Sequence, residues 1–242
     1  THGIDVLGSR QGAWLLRRIG IPLRLGVTGY AGGNKWCKQT ILFDENRNVA
    51  EAALGFLPLL GIDQTIEPRP RIYLSEKEKT NSMWKPRDQN TKRIIIAPGG
   101  GFLEKCWGNK KFSSLVNALL KNILYEIKVV GTTEDKERIK LFENSRQDRF
   151  HNHCGNLGLR ETTAMVSDAD LVICNSSLCM HLAGAFKIPS ITLLGDWYQS
   201  AKLHHIQWGY PEGVIIGKEE NSGRNSVASV NEVLNIAGGI LS

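Results

Sequence analysis

Apolar residues in the second part of this chain come in short unbroken runs, each followed by a polar loop and then a stretch with apolar positions three and four apart. RIIIA, IKVVG, LVIC and ITLL each predict a strand, and LVIC is a short apolar run that suits a strand buried on both faces. Between them, Phe112, Leu115, Val116, Leu119 and Leu120 share one face of a predicted helix. Thr132 or Thr133 can cap a helix running through Phe142, and Phe150–Cys154 suggests a weak strand. Glu161–Asp168 predicts a short helix. The following helix is opened by Asn175, Ser176 and Ser177 as capping side chains, turns Leu178, Leu182 and Phe186 inward, and is ended by Pro189. Strands separated by helices imply right-handed βαβ units and a doubly wound parallel sheet.

The first part carries weaker signals of the same kind. GIDVLGSR suggests a strand and turn, and GAWLLRRIG a helix closed by Gly20. Asn48–Leu60 predicts a second helix with Val49, Ala52, Ala53 and Phe56 inward, ended by Gly61. These read as the last units of another α/β domain. Glu67–Asn90, rich in proline and charge, reads as a connector holding a short helix over Ser75–Lys85. The expected division is a partial N-terminal α/β domain over 1–74, a linker over 75–91 and a second domain over 92–242. The chain opens at Thr1 inside a running βα pattern, so a preceding segment is expected.

In an open parallel sheet, ligands bind beyond the carboxyl ends of the strands. There the pattern places Pro98, Gly99, Gly100, Gly101 and Lys105; then Gly131–Glu134; then Gly155–Leu157; then Asn175, Ser176, Ser177 and His181; then Gly195, Asp196 and Trp197. Small, polar and basic residues thus gather at one sheet edge. A polar loop leading from a buried strand into a helix N-terminus offers free N–H groups and a favourable dipole to a phosphate. Taken singly, each residue has a plainer role: the glycines as turns, Lys105 as a solvated lysine, His181 as a buried hydrogen-bonding group, Glu134 as a helix-start carboxylate. Asp168 and Asp170 form a DxD pattern but fall at the opposite sheet edge, so they are read as structural.

Composition narrows the class. In 242 residues, 41% hydrophobic and 22% charged content describe a globular protein with a real core, and no apolar run is long enough to span a membrane. The net charge of +6 favours an anionic partner, while no nucleic-acid recognition motif is present. The 5 cysteines include no CxxC and fit a reducing compartment. His151, His153 and Cys154 crowd together without a second ligand pair at finger-like spacing, so no metal is expected.

Three segments resemble glycosyltransferase family 9, the heptosyltransferase-like enzymes of GT-B fold: PGGGFLEKCW, VVGTTEDKE, and ETTAMVSDADLVICNSSLCMHLAGAFKIPSITLLG. In the last, the family usually reads Asn-Asp-Ser-Gly-x-Met-His-Leu-Ala. Upstream, GSRQGAWLLRRIGIPLRLGVTGY is similar to the end of the family's first domain. The resemblance implies a cytoplasmic inverting glycosyltransferase without metal or other cofactor, peripheral to the inner membrane. It would move a sugar, expected to be heptose from ADP-heptose, to a glycan or glycolipid acceptor in lipopolysaccharide or surface polysaccharide synthesis. The first domain would hold the acceptor and the second the donor. By the same resemblance Lys105 and His181 are candidate catalytic residues, and Gly99, Gly100, Gly101, Lys105, Glu134, Leu157, Ser176, Ser177, Leu178 and His181 candidate donor-binding residues. The catalytic base is expected upstream of residue 1. Two positions depart from the pattern: Ser176 stands where the family has Asp, and Leu178 where it has Gly. They keep open a non-catalytic nucleotide-sugar-binding homologue. A dinucleotide dehydrogenase is disfavoured, because no GxGxxG joins a strand to a helix here.

Overall fold

The computed structural model describes residues 2–80, 84, 90–140 and 147–242, and divides into two compact units, one of residues 1–69 with 206–208 and one of 70–205 with 209–242. In the smaller unit, β1 (His2–Ile4), β2 (Leu23–Thr28) and β3 (Gln39–Leu42) form a parallel sheet in that order. Helix α1 (Arg10–Arg18) is capped by Ser9, whose hydroxyl accepts from Gly12 N at 2.9 Å, and ends before Gly20 at φ +77°. Asn48 caps α2 (Val49–Leu54). The single helix expected over Asn48–Leu60 is broken. It stops at Gly55, a one-turn 3-10 segment follows over Pro58–Leu60, and Gly61 closes it at φ +71°. Phe56 is buried with Leu25 and Val27, but Val49 is exposed because it sits at the first position of the shortened helix. Strands β2 and β3 have no counterpart in the sequence reading; LRLGVT and QTIL are only partly buried and lack long apolar runs.

The larger unit begins with α3 (Glu76–Thr80), so the helix expected over Ser75–Lys85 is present in its first part; Asn81–Met83 and Lys85 lie outside the described residues. Then come β4 (Lys92–Ala97), α4 (Asn109–Leu119), β5 (Tyr125–Val129), β6 (Phe150–Asn152), α5 (Leu159–Ser167), β7 (Leu171–Asn175), α6 (Leu178–Phe186), β8 (Ser190–Leu193), α7 (Ala201–Trp208), β9 (Gly213–Ile216) and α8 (Val230–Leu241). Six strands lie in the order β6-β5-β4-β7-β8-β9, every pair parallel. The chain runs outward from β4 to one edge, returns to β7 beside β4, and runs to the other edge.

Both faces of this sheet are covered, which is why β4, β7 and β8 carry consecutive apolar residues. On one face Ile94, Ile96, Ile127, Val129 and Ile173 pack with Phe112 and Leu115 of α4 and with Val233 and Ala237 of α8. On the other, Ile95, Ala97, Val172 and Cys174 pack with Met165 of α5 and with Met180, Leu182 and Ala183 of α6.

Several local expectations change. Leu178 is 52% exposed, because it opens α6 above the sheet edge, and the inward face is Cys179, Met180, Leu182 and Ala183 instead. Helix α6 closes at Lys187, which adopts the left-handed conformation at φ 58°, two residues before Pro189. After β5 a 3-10 helix spans Thr133–Arg138 and ends at Ile139; the rest of the helix expected through Phe142 falls partly outside the described residues. Elements α7, β9 and α8 are additional to the sequence reading.

Asp168 and Asp170 do work at the amino end of the sheet. Asp170 accepts from the Arg93 backbone N–H at 2.8 Å, and Asp168 pairs with the buried Arg93 guanidinium. They anchor β4 against β7.

Phe112 is fully buried and meets Trp107 edge-on at 5.1 Å. Phe112→Ala is expected to cost about 3–5 kcal/mol, read as a lowered urea midpoint at an unchanged slope. A loss below about 1 kcal/mol would show that this face is not the tightly packed core described.

Candidate functional site

Strand order reverses between β4 and β7, and in doubly wound sheets the crevice beyond such a switch point is where ligands bind. The loops on either side are stapled by Asn175. It is the last residue of β7, 1% exposed, and its side-chain amide donates to Pro98 O at 2.7 Å and Gly99 O at 3.1 Å. Its Oδ1 accepts from Trp107 N at 2.9 Å. Asn175 is therefore not a helix cap, as expected from sequence, but a clamp across the switch point. The capping position of α6 belongs to Ser177, whose side chain makes no capping hydrogen bond. The first turn of α6 thus keeps donors that no capping side chain meets.

The other strand ends are tied to these two. Gly195, after β8, donates to Lys105 O at 3.1 Å, and Trp197 N to Glu104 O at 3.1 Å. A Cβ on Gly195 would lie 2.5 Å from the Glu104 and Cys106 carbonyl oxygens, so only glycine permits this approach. On the opposite side, Asp135 packs against Gly99 and Gly131 so closely that a Cβ on either would meet its carboxylate. Asp135 accepts from Thr132 N at 2.9 Å and pairs with Arg138 at 2.6 Å. Gly155, after β6, donates to Gly131 O at 3.0 Å. The five loops form one connected rim.

On this rim the sequence-predicted residues take distinct places. Lys105 is half-buried, with Nζ 4.1 Å from the Trp197 ring centroid and 5.4 Å from that of Phe102. These rings hold the ammonium by cation–π attraction without neutralising its charge. Gly100 abuts Cys106 and Asn175, while Gly101 faces open space. Gly99 is glycine because Asp135 fills the space beside it. Glu134 is exposed, and a hydrogen bond from Thr132 holds its carboxyl below the usual range. The Leu157 side chain packs into the core on the α5/α6 face. His181 Nδ1 lies 2.8 Å from Tyr210 Oη, and burial lowers its pKa. Tyr210 packs on α6 where Gly184 leaves room; a Cβ there would lie 2.5 Å from the Tyr210 ring.

Three side chains that sequence reasoning missed join this group. Ser176 Oγ is 2.9 Å from His204 Nε2 on α7, and the Tyr198 ring stands 4.8 Å from that of His204. Tyr210 holds His181. No local pattern marks the hydrogen bonds of His204 and Tyr210, which are made across 28 or more residues. His204 is pushed down to about 4, first by burial, then by His181, Lys105 and His205. Near neutrality the rim therefore carries a positive Lys105 beside neutral imidazoles. That arrangement can bind a diphosphate through one cation and an uncapped helix start. Among the described residues no group of three or more His, Cys, Asp or Glu is placed to hold a metal ion. Likewise, no described helix is long and apolar enough to cross a membrane.

The family model of glycosyltransferase family 9 (heptosyltransferase) matches residues 1–202, and the chain belongs to that family. Lipopolysaccharide heptosyltransferase 3 of Escherichia coli is 27% identical over 168 residues, covering 66% of this chain and 46% of that protein. The chain thus spans just under half the length of this curated relative. Among solved structures, the E. coli ADP-heptose lps heptosyltransferase II aligns over 99% of this chain and 75% of its own, at 19% identity and a TM-score of 0.69. A family 9 glycosyl transferase from Veillonella parvula aligns over 99% and 73%, at 17% identity and TM-score 0.74. The E. coli heptosyltransferase WaaC with ADP-2-deoxy-2-fluoro heptose aligns over 98% and 71%, at 16% identity and TM-score 0.71. These likenesses establish the fold: α/β of the GT-B kind.

His204 also sets a pH dependence. Its folded-state pKa lies below the ordinary 6.5, so the unfolded chain takes up the proton first. Stability from this group is complete above pH 6.5 and falls as pH drops toward about 4. His181 and His153, also lowered, act in the same direction. The melting temperature is expected to fall over this window, and less steeply in His204→Gln. Equal slopes in the two proteins would contradict the assignment.

Proposed function

We propose that this chain belongs to an enzyme transferring heptose from ADP-heptose to a saccharide acceptor of lipopolysaccharide or a related surface glycan. In this reading residues 92–242 bind the donor, residues 1–74 belong to the acceptor side, and 75–91 link them. The observation that carries it is the convergence of Lys105 and the uncapped start of α6 on the β4/β7 switch point, in a chain of this family. Further support comes from the family relatives whose structures contain ADP or an ADP-heptose analogue.

Lys105 neutralises charge on the departing diphosphate, and the N–H groups of Ser177, Leu178 and Cys179 share that load through the α6 dipole. Gly100 and Gly101 let the loop backbone approach the phosphates. Glu134 and Leu157 line the nucleoside end, the latter through its backbone. His181, held by Tyr210, orients the loop or donates to phosphate. Transfer is inverting, needs no metal, and takes place at the cytoplasmic face of the inner membrane.

A second reading, a non-catalytic nucleotide-sugar binder, is favoured by one observation: Ser176 presents a neutral hydroxyl, engaged by His204, where the family pattern has a carboxylate. Restoring Asp at 176 and Gly at 178 separates the two. Transfer of heptose to a saccharide acceptor appearing only in the restored protein supports the binder.

Titration calorimetry with ADP tests the site itself. Wild type is expected to bind, and Lys105→Ala to lose about 1.5–3 kcal/mol, roughly 10–150-fold in Kd. An unchanged affinity in Lys105→Ala would remove the lysine from the site. No heat at millimolar ADP would remove the reading.

A further inference from the structure

His204 belongs to no sequence motif, yet it is held in place with unusual thoroughness. Ser200 caps α7, accepting from Leu203 N at 3.0 Å, and donates to Glu219 Oε1 at 2.7 Å. The other oxygen of Glu219 accepts from Lys202 N at 2.8 Å. This double tie fixes the first turn of α7 and thereby the direction in which His204 leaves the helix. The imidazole then meets Ser176 at 2.9 Å, with the Tyr198 ring against its side.

Ser176 is the residue immediately before the α6 N-cap. A group attached to a phosphate on the α6 first turn therefore lies beside Ser176. A neutral serine–imidazole pair can serve such a group in either sense. With Nε2 accepting the serine proton, the serine oxygen keeps lone pairs for a ligand hydroxyl; with Nε2–H donating, the serine O–H turns outward to a ligand oxygen.

Resting on the donor-site reading above, we propose that His204 is a positioning residue for the donor's sugar, orienting the Ser176 hydroxyl so that it hydrogen-bonds the sugar and selects nucleotide-sugar over nucleoside diphosphate. Its action is on the sugar end alone; the diphosphate is held by Lys105 and α6.

Calorimetry on the full chain with ADP and with ADP-heptose as separate ligands tests this. Wild type is expected to bind ADP-heptose more tightly than ADP. His204→Ala is expected to lose about 2–10-fold for ADP-heptose while ADP stays within roughly twofold. His204→Gln, whose side-chain nitrogen reaches the position of Nε2, is expected to restore most of the difference. Ser176→Ala should match His204→Ala, and the double variant should lose no more than either alone, since the two act as one unit. Should His204→Ala fail to fold, His204→Gln and Ser176→Ala carry the test. An equal loss for both ligands would make the role structural and overturn the proposal, as would no loss for either. Wild type failing to bind ADP would overturn the donor-site reading and this inference together. ADP binding that remains intact, with no effect of these variants on ADP-heptose, would overturn the inference alone.

Discussion

The site depends on a side chain to which no ligand contact is assigned. Asn175 stands at the end of β7, beside the end of its paired neighbour β4, and its amide holds the loop that follows β4 at Pro98, Gly99 and Trp107. A parallel sheet spaces its strand ends but does not dictate where the following loops go. With Asn175 present, the β4 loop is drawn back over the end of β7, and Lys105 is brought to the same edge as the start of α6. Its burial makes the arrangement costly to undo: without the amide, the buried Trp107 N–H and two carbonyls would lose their partner, at about 1–3 kcal/mol for each group left unsatisfied.

Electrostatics then divide the labour along the rim. The single ammonium of Lys105 lies against the Trp197 ring, which leaves its charge available. The two imidazoles nearby are held neutral by burial, and in His204 by that ammonium as well. Positive charge is therefore concentrated at Lys105, while His181, His204, Ser176 and the tyrosines offer directional, uncharged hydrogen bonds. Such a surface can meet anionic and hydroxylic groups by different means.

Much of this was legible in the chain itself, for a physical reason. Strands β4, β7 and β8 are buried on both faces, so they carry consecutive apolar residues that stand out against polar loops, whereas β5 buries Glu126 and Lys128 as a pair 3.6 Å apart. Once those strand ends are located, the residues just beyond them place Lys105, Gly99–Gly101, Ser176, Ser177 and His181 along one rim. The partly buried strands β2 and β3 carry no such signal, since solvent tolerates polar residues and glycine there. Asn175 was misread because Asn-Ser-Ser before an apolar helix is a good capping sequence. What the amide does depends on a loop 77 residues earlier, which no local pattern encodes. His204 and Tyr210 stayed hidden for the same reason: each acts on a residue in or before α6 only after β8 and α7 have folded back against it.

The most direct test is a crystal structure of the full chain with ADP bound. The diphosphate is expected in the crevice beyond β4 and β7, within hydrogen-bond reach of both Lys105 Nζ and the first-turn N–H groups of α6, with the Asn175 clamp closed. A diphosphate bound elsewhere on the molecule, with Lys105 and the start of α6 both unengaged, would contradict the shared-rim mechanism.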